Sequence, residues 1–224
     1  MDGTEFARSE PASRMAAAGT SSVAAGMVII VDDDALVRAA LDSLFRSVGF
    51  MTRLYASAKE ALTDTWPDML ACVVTDVRMP EVGGFEFQTA LSARSIEVPV
   101  IFMTGHGDIP MTVRAMKAGA VDFLSKPFRD QDMLDAVNTA MERARIGREV
   151  ERGSAAAHAL YATLTPRERE VMEGVVRGLL NKQIAGEMGI AEITVKLHRS
   201  SVMRKMGVRR LPDLVRLAGV LGGV

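Results

Sequence analysis

Cysteine is almost absent from this chain of 224 residues: only Cys72 occurs, inside an apolar run. A single thiol excludes an intramolecular disulfide and fits a reducing compartment, so the expected location is cytoplasmic. Long hydrophobic runs are lacking as well. No apolar stretch approaches the roughly 20 residues of a membrane span, so no membrane partner is expected. Residues 1–26 are rich in Ala, Ser and Gly and mix acids with bases, without an apolar core followed by a cleavage pattern. They read as a disordered tail, not a signal peptide. Net charge is nearly missing too, at −1, but the average hides a split: residues 1–153 carry −6 and residues 154–224 carry +5. An acidic front and a basic back suggest two domains, the second a candidate for a polyanionic partner.

What is present begins with Val73-Val74-Thr75-Asp76-Val77-Arg78-Met79-Pro80, a short apolar run that ends in an aspartate and a Pro-bounded turn. Such a stretch reads as a buried strand delivering a carboxylate to a sheet edge. Strands are expected over 27–31, 51–55, 70–75, 100–103 and 122–125. Between them, apolar residues at helical spacing predict helices over 35–47, 85–93 and 111–118, and Ser57-Ala58-Lys59-Glu60 is a capping box that opens another. Strand–helix alternation implies a doubly wound α/β domain, a five-stranded parallel sheet covered on both faces. A long helix is expected over 131–152, followed by an Ala- and Ser-rich linker over 153–159.

Thr165-Pro166-Arg167-Glu168 is a strong helix start, with Thr at the cap, Pro at the first helical position and Glu at the third. Helices are expected over 166–177, 181–188, 192–206 and 211–221. A short helix, a glycine turn and a longer basic helix form a helix-turn-helix inside an all-α four-helix unit. The boundaries read as a tail at 1–26, an α/β domain at 27–140, a helical connector and linker at 141–159, and the helical domain at 160–224.

Four of the apolar strands end in polar residues of the kinds that bind a metal and a phosphoryl group: Asp32 and Asp33, Asp76, Thr104 and Lys126. Ligands of parallel sheets sit at the carboxyl ends of the strands. Adjacent carboxylates facing a third suit Mg²⁺. Asp76 is the natural nucleophile towards phosphorus, Lys126 supplies positive charge to a phosphoryl oxygen, and the Thr104 hydroxyl can bind another.

These stretches carry a resemblance. Val31-Asp32-Asp33-Asp34, Asp76 to Pro80, Met103-Thr104-Gly105-His106-Gly107-Asp108 and Lys126-Pro127-Phe128 resemble the receiver domain of bacterial two-component response regulators. Residues 160–222 resemble the LuxR-type helix-turn-helix output domain, and the whole is similar to the FixJ branch of the NarL/FixJ family. The resemblance implies a flavodoxin-like receiver in which Asp76 takes a phosphoryl group from a sensor histidine kinase. It implies Mg²⁺ held by Asp32, Asp33 and Asp76 with the backbone carbonyl of Arg78. It makes Thr104 and Phe123 a switch pair, and Asp34 a helix start instead of a ligand.

In the second helix of the helix-turn-helix, Val195, His198, Val202 and Met206 fall on one face at 100° per residue, and Ile193, Lys196, Leu197, Ser200 and Arg204 on the other. The first set is expected to pack, His198 included, and the second to enter a major groove. Lys196 and Ser200 suit base edges, Leu197 or Ile193 a thymine methyl, and Lys182, Thr194, Arg204 and Lys205 the phosphates. LuxR-type domains usually place Ser or Thr before both helices. Leu180 and Ala191 stand there, with Asn181 a candidate cap one residue late and no candidate for the second helix.

The resulting expectation is a phosphorylation-gated transcriptional regulator with Mg²⁺ as cofactor. It is not an enzyme beyond self-catalysed transfer to Asp76 and slow autodephosphorylation. Its partners are a sensor histidine kinase, a double-stranded DNA operator, a second copy on phosphorylation and, as a further candidate, RNA polymerase. Two alternatives stand beside it: a phosphate-sink receiver with a weak output, and a small-molecule-sensing LuxR regulator, against which the Asp32, Asp33, Asp76, Thr104 and Lys126 set argues.

Overall fold

The computed structural model describes residues 26–105 and 109–222. His106, Gly107 and Asp108 of the quoted motif, and the tail reading for all but Gly26, lie outside the described residues. Five strands, β1 (Met27–Val31), β2 (Met51–Tyr55), β3 (Ala71–Asp76), β4 (Val100–Thr104) and β5 (Asp122–Ser125), pair in parallel in the order β2-β1-β3-β4-β5. The helices between them are α1 (Ala35–Ser47), α2 (Ala58–Thr63), α3 (Gly84–Ala93) and α4 (Ile109–Lys117).

Successive strand residues point to opposite faces, so one apolar run feeds two cores. Ile29, Val31, Val73 and Phe102 pack beneath α2, α3 and α4, while Val28, Ile30, Cys72, Val74, Ile101 and Met103 pack against α1 and α5 (Asp130–Ala162). Each such side chain fully buried contributes about 1.5–3 kcal/mol. Helix α1 starts where Asp34 accepts the amides of Leu36 (2.8 Å) and Val37 (3.5 Å), and stops where Gly49 takes a left-handed φ of 92°. At α2 the expected capping box is displaced by one residue. Ser57 Oγ accepts the Glu60 amide, but the Glu60 carboxylate accepts the Ala56 amide instead of that of Ser57.

The connector differs from the expectation. Residues 153–159, read as a linker, are helical, and α5 is one helix of 33 residues. Gly153 lowers helix propensity, but alanines at 155–157 and 159 are the best helix formers and outweigh it. Burial of Ala157 and packing of Tyr161 onto the C-terminal core then hold the last turns.

The C-terminal helices are α6 (Pro166–Val176), α7 (Asn181–Met188), α8 (Glu192–Lys205) and α9 (Leu211–Val220). They close on Val171, Met172, Val175, Ile184, Val195, Val202, Met206 and Leu214. The capping box at α6 forms in full: Thr165 Oγ accepts the Glu168 amide at 3.3 Å and Glu168 Oε2 accepts the Thr165 amide at 2.7 Å. Asn181 does not cap α7. Its side-chain oxygen instead accepts from Arg199 Nη1 of α8 at 3.0 Å, and Gln183 alone reaches back to the Leu180 amide.

Candidate functional site

The strand register assembles the acidic cleft. Val31 pairs with Thr75, so Asp32 and Asp76 leave adjacent strands side by side. Asp76 pairs with Met103, which puts Thr104 one step further, and Thr104 pairs with Ser125, which puts Lys126 one step beyond that. The ladder continues past the strands through Val77 N to Met103 O (2.9 Å) and Lys126 N to Thr104 O (2.7 Å), so these positions are held by backbone rather than by loop chance.

Lys126 Nζ donates to Asp32 Oδ2 at 2.7 Å and to Asp76 Oδ2 at 2.8 Å. Burial opposes the ammonium charge, but the hydrogen bonds to Asp32 and Asp76 more than offset it and the pKa of Lys126 is raised. The Asp34 amide donates to Asp32 Oδ1 and the Arg78 amide to Asp76 Oδ1. Arg38 Nη1 donates to the Asp32 carbonyl at 2.6 Å and pins the start of the loop.

One carboxylate oxygen from each of Asp32, Asp33 and Asp76 lies within 4.8 Å of the other two. Such a hard oxygen set, with one exposed and two partly or fully buried carboxylates, fits an octahedral divalent cation that keeps some of its waters. Asp34 is spent on the α1 cap, as the resemblance implies. Arg78 reaches the site through its amide. Thr104 is buried and Phe123 partly buried against the α3/α4-side core.

Gly84 was not singled out by sequence reasoning. A Cβ there would stand 2.5 Å from the Asp76 carbonyl oxygen and 3.0 Å from the Phe102 ring. Helix α3 therefore abuts the end of β3, and a side chain at 84 would displace the residue that carries the central carboxylate. The Gly-Gly pair at 83–84 after Pro80 was the available signal.

The second site is the exposed face of α8. Val195, Val202 and Met206 are buried and His198 is half-buried on the inner side, while Ile193 and Leu197 are 64% and 67% exposed. Lys196, Ser200 and Arg204 are exposed beside them, Thr194 is half-buried and Lys182 is exposed on α7. Lys196 forms an exposed ion pair with Glu192 at 3.1 Å. Lys205, expected on the phosphate-facing side, is turned inward: its Nζ bonds Glu168 Oε2 at 2.7 Å and the Thr163 carbonyl at 3.1 Å. The attraction of a nearly buried carboxylate outweighs a solvated position for that ammonium.

Glu168 is the residue that sequence reasoning placed only as a cap partner. It is 5% exposed and also accepts from Ser201 Oγ at 2.6 Å. Lys205 first, then Ser201 and the Thr165 amide, lower its pKa to about 2.

A parallel five-stranded sheet with an acidic cleft at its carboxyl edge, joined by a helix to a helix-turn-helix, defines a receiver coupled to a DNA-binding output. Residues 28–138 match the family described as "Response regulator receiver domain", and residues 162–218 match "Bacterial regulatory proteins, luxR family". The chain is 53% identical over 203 residues to Nodulation protein W of Bradyrhizobium diazoefficiens, covering 91% of this chain and 89% of that one. It is 43% identical over 194 residues to the transcriptional regulatory protein FixJ of the same organism, covering 86% and 94%. Among solved structures it is similar to the response regulator StyR, with a TM-score of 0.76 and 46% identity over 88% of this chain and 99% of that one. It is also similar to full-length FixJ from B. japonicum, with a TM-score of 0.53 and 42% identity over 88% and 97%. The chain belongs to the FixJ-like response regulators, with a receiver domain and a LuxR-type helix-turn-helix domain, and is a phosphorylation-gated transcriptional regulator. Membership implies a histidine kinase upstream and DNA binding through the helix-turn-helix. Among the described residues no helix is long and apolar enough to cross a membrane.

Proposed function

We propose that Asp76 accepts a phosphoryl group from a phosphohistidine of a sensor histidine kinase, and that this state controls pairing of two copies and operator binding. One Asp76 carboxylate oxygen attacks phosphorus, the P–N bond breaks, and its electron pair leaves with the kinase imidazole. Asp32, Asp33 and Asp76, with the Arg78 carbonyl, would hold Mg²⁺, which supplies charge neutralisation at the phosphoryl oxygens. Lys126, already shared between Asp32 and Asp76, is positioned to transfer its Asp76 hydrogen bond to a phosphoryl oxygen, and Thr104 takes another. Operator contact follows from the exposed face of α8: Lys196 and Ser200 to base edges, Ile193 or Leu197 to a thymine methyl, and Lys182, Thr194 and Arg204 to phosphates. This reading places the protein in the cytoplasm, with RNA polymerase as a downstream partner.

The observation that carries the reading is the Lys126 ammonium bridging Asp32 and Asp76 beside a third carboxylate. Acetyl phosphate with Mg²⁺ is expected to add one phosphoryl group to the wild type and none to Asp76→Asn, read by intact-protein mass spectrometry. Equal labelling of the two would assign the acceptor elsewhere.

A further inference from the structure

The two carboxylates that β1 delivers to the cleft are neighbours in the chain but are held very differently. Asp32 is fully buried, with Oδ1 accepting the Asp34 amide at 2.8 Å and Oδ2 accepting Lys126 Nζ at 2.7 Å. Asp33 is exposed, and among the described residues its side chain makes no hydrogen bond. Its place is therefore set by the backbone. Yet Asp33 lies between the end of β1 at Val31 and the start of α1 at Ala35, where neither ladder nor helix holds it. The Asp32 amide still bonds the Tyr55 carbonyl, at 3.3 Å.

Arg38 supplies the missing restraint. The carbonyl that its Nη1 bonds at 2.6 Å is that of Asp32, in the peptide joining the two carboxylate residues. A peptide unit is planar, so fixing the direction of this carbonyl fixes the plane on whose far side the Asp33 Cα lies. Arg38 is itself anchored: its amide donates to the Asp34 carbonyl at 3.1 Å in the first turn of α1, the helix that the Asp34 side chain caps. The Asp34 amide on Asp32 Oδ1 and the Arg38 guanidinium on the Asp32 carbonyl thus close a ring of bonds around Asp33. Half-buried Arg38 forms no ion pair among the described residues, so its guanidinium acts on a neutral carbonyl and not on a carboxylate.

We propose that Arg38 is a positioning residue for the divalent cation: by holding the Asp32–Asp33 peptide it sets the Asp33 carboxylate against those of Asp32 and Asp76. The inference rests on the metal reading of the cleft. Mg²⁺ demands near-ideal octahedral geometry, so a displaced carboxylate weakens its binding. Charge alone predicts the opposite sign. A guanidinium beside the cleft repels a cation, and its loss would tighten binding if it acted only as a charge.

The test is calorimetric titration of the full chain with MgCl₂. Arg38→Met keeps a helix-favouring apolar stem and removes the donor. Its Kd for Mg²⁺ is expected to rise roughly ten-fold. Arg38→Gln, which is neutral and too short to keep the bond, should weaken binding likewise, and Arg38→Lys, which keeps a donor at nearly the same reach, should recover part of the loss. With acetyl phosphate as donor, the half-saturating Mg²⁺ concentration should rise in step with Kd. The rate at saturating Mg²⁺ should stay within about two-fold of wild type. Equal or tighter Mg²⁺ binding by Arg38→Met and Arg38→Gln would overturn the proposal, as would a lowered saturating rate at unchanged Kd. A wild type that binds no Mg²⁺ would remove the metal reading of the cleft and this inference with it.

Discussion

The ammonium of Lys126 is shared between Asp32 and Asp76, so a divalent cation entering the cleft would compete with it for the same carboxylates. In the C-terminal domain Lys205 binds a single nearly buried acid, Glu168, and is thereby turned away from the exposed face of α8. Glu168 collects Lys205, Ser201 and the Thr165 amide, and so ties the recognition helix α8 to the start of α6. Its pKa in the folded chain, about 2, lies below that of an unfolded glutamate. The stabilisation is therefore fully present above about pH 4.5 and is lost as pH falls towards 2. Glu168→Gln is expected to destabilise α6 and α8 by about 2–3 kcal/mol at pH 7. Amide exchange in those helices at pH 5 and pH 3 checks it: the difference between wild type and variant should narrow at the lower pH. A constant difference would mean that the carboxylate charge contributes nothing.

At the scale of elements, most of the receiver was legible because periodicity and punctuation agreed. Strand β1 was expected and observed at Met27–Val31, and α1 at Ala35–Ser47, since Asp34 caps the helix and Gly49 ends the apolar period in a conformation few other residues adopt. The acidic cleft was legible for a simpler reason: in a parallel sheet, polar residues that end successive apolar strands must share one edge. Two things were not legible. The continuous α5 was hidden because the Ala- and Ser-rich stretch 153–159 read as linker, whereas the burial that keeps those turns helical comes from α9 and the C-terminal core. The inward turn of Lys205 was hidden because it depends on Glu168, 37 residues earlier, coming within reach only after α6 and α8 pack. The unusual helix starts were read correctly for α8: Ala191 occupies its N-cap and no side chain bonds the first-turn amides. Ala191→Ser is expected to stabilise that turn by about 0.5–2 kcal/mol. Amide exchange there should slow by roughly two- to thirty-fold. Unchanged exchange would show that a serine at 191 adds no cap.

At the scale of the whole molecule, an acidic receiver of net −6 over residues 1–153 and a basic output of net +5 over residues 154–224 divide the work of input and DNA attraction. Exposed Lys182 lies at the start of α7, and Lys196 lies on the outer face of α8 among Ile193, Leu197 and Ser200. Lys182→Ala is expected to weaken binding to specific and random duplexes alike and to reduce the slope of log affinity against log salt by about 1. Lys196→Ala should in addition relax the preference at one base pair, at a cost of about 1–3 kcal/mol. Equal losses on both duplexes for both variants, measured by fluorescence anisotropy across a salt series, would remove the distinction between the two lysines.

A phosphoryl group on Asp76 would sit at one edge of the sheet and would have to act at a distance on the helix-turn-helix. One helix-turn-helix reads half a site, and two-fold pairing of such domains supplies the other half. Helix α4 carries Ile109, Val113 and Met116 exposed at positions i, i+4 and i+7, a continuous apolar stripe. Between this helix and the cleft lie Thr104 at the end of β4 and Phe123 on β5, adjacent in the ladder through the Phe102–Phe123 and Thr104–Ser125 pairs. Drawing the Thr104 hydroxyl towards a phosphoryl group on Asp76 would open space for the Phe123 ring to turn in. Both shifts alter the surface made by α4, β5 and the start of α5. Pairing of two copies through residues 109–140 would cover the α4 stripe and bring two connectors, and with them two recognition helices, onto one paired site. The affinity gain should then be modest for a single half-site and large for a paired one, because the second half-site is met at high effective concentration. Analytical ultracentrifugation with and without beryllofluoride is expected to show a monomer becoming a dimer at tens of micromolar, and Val113→Asp is expected to keep the treated chain monomeric and to abolish the paired-site gain. If the beryllofluoride form stays monomeric and still binds DNA more tightly, the gate works by releasing the output domain and not by pairing.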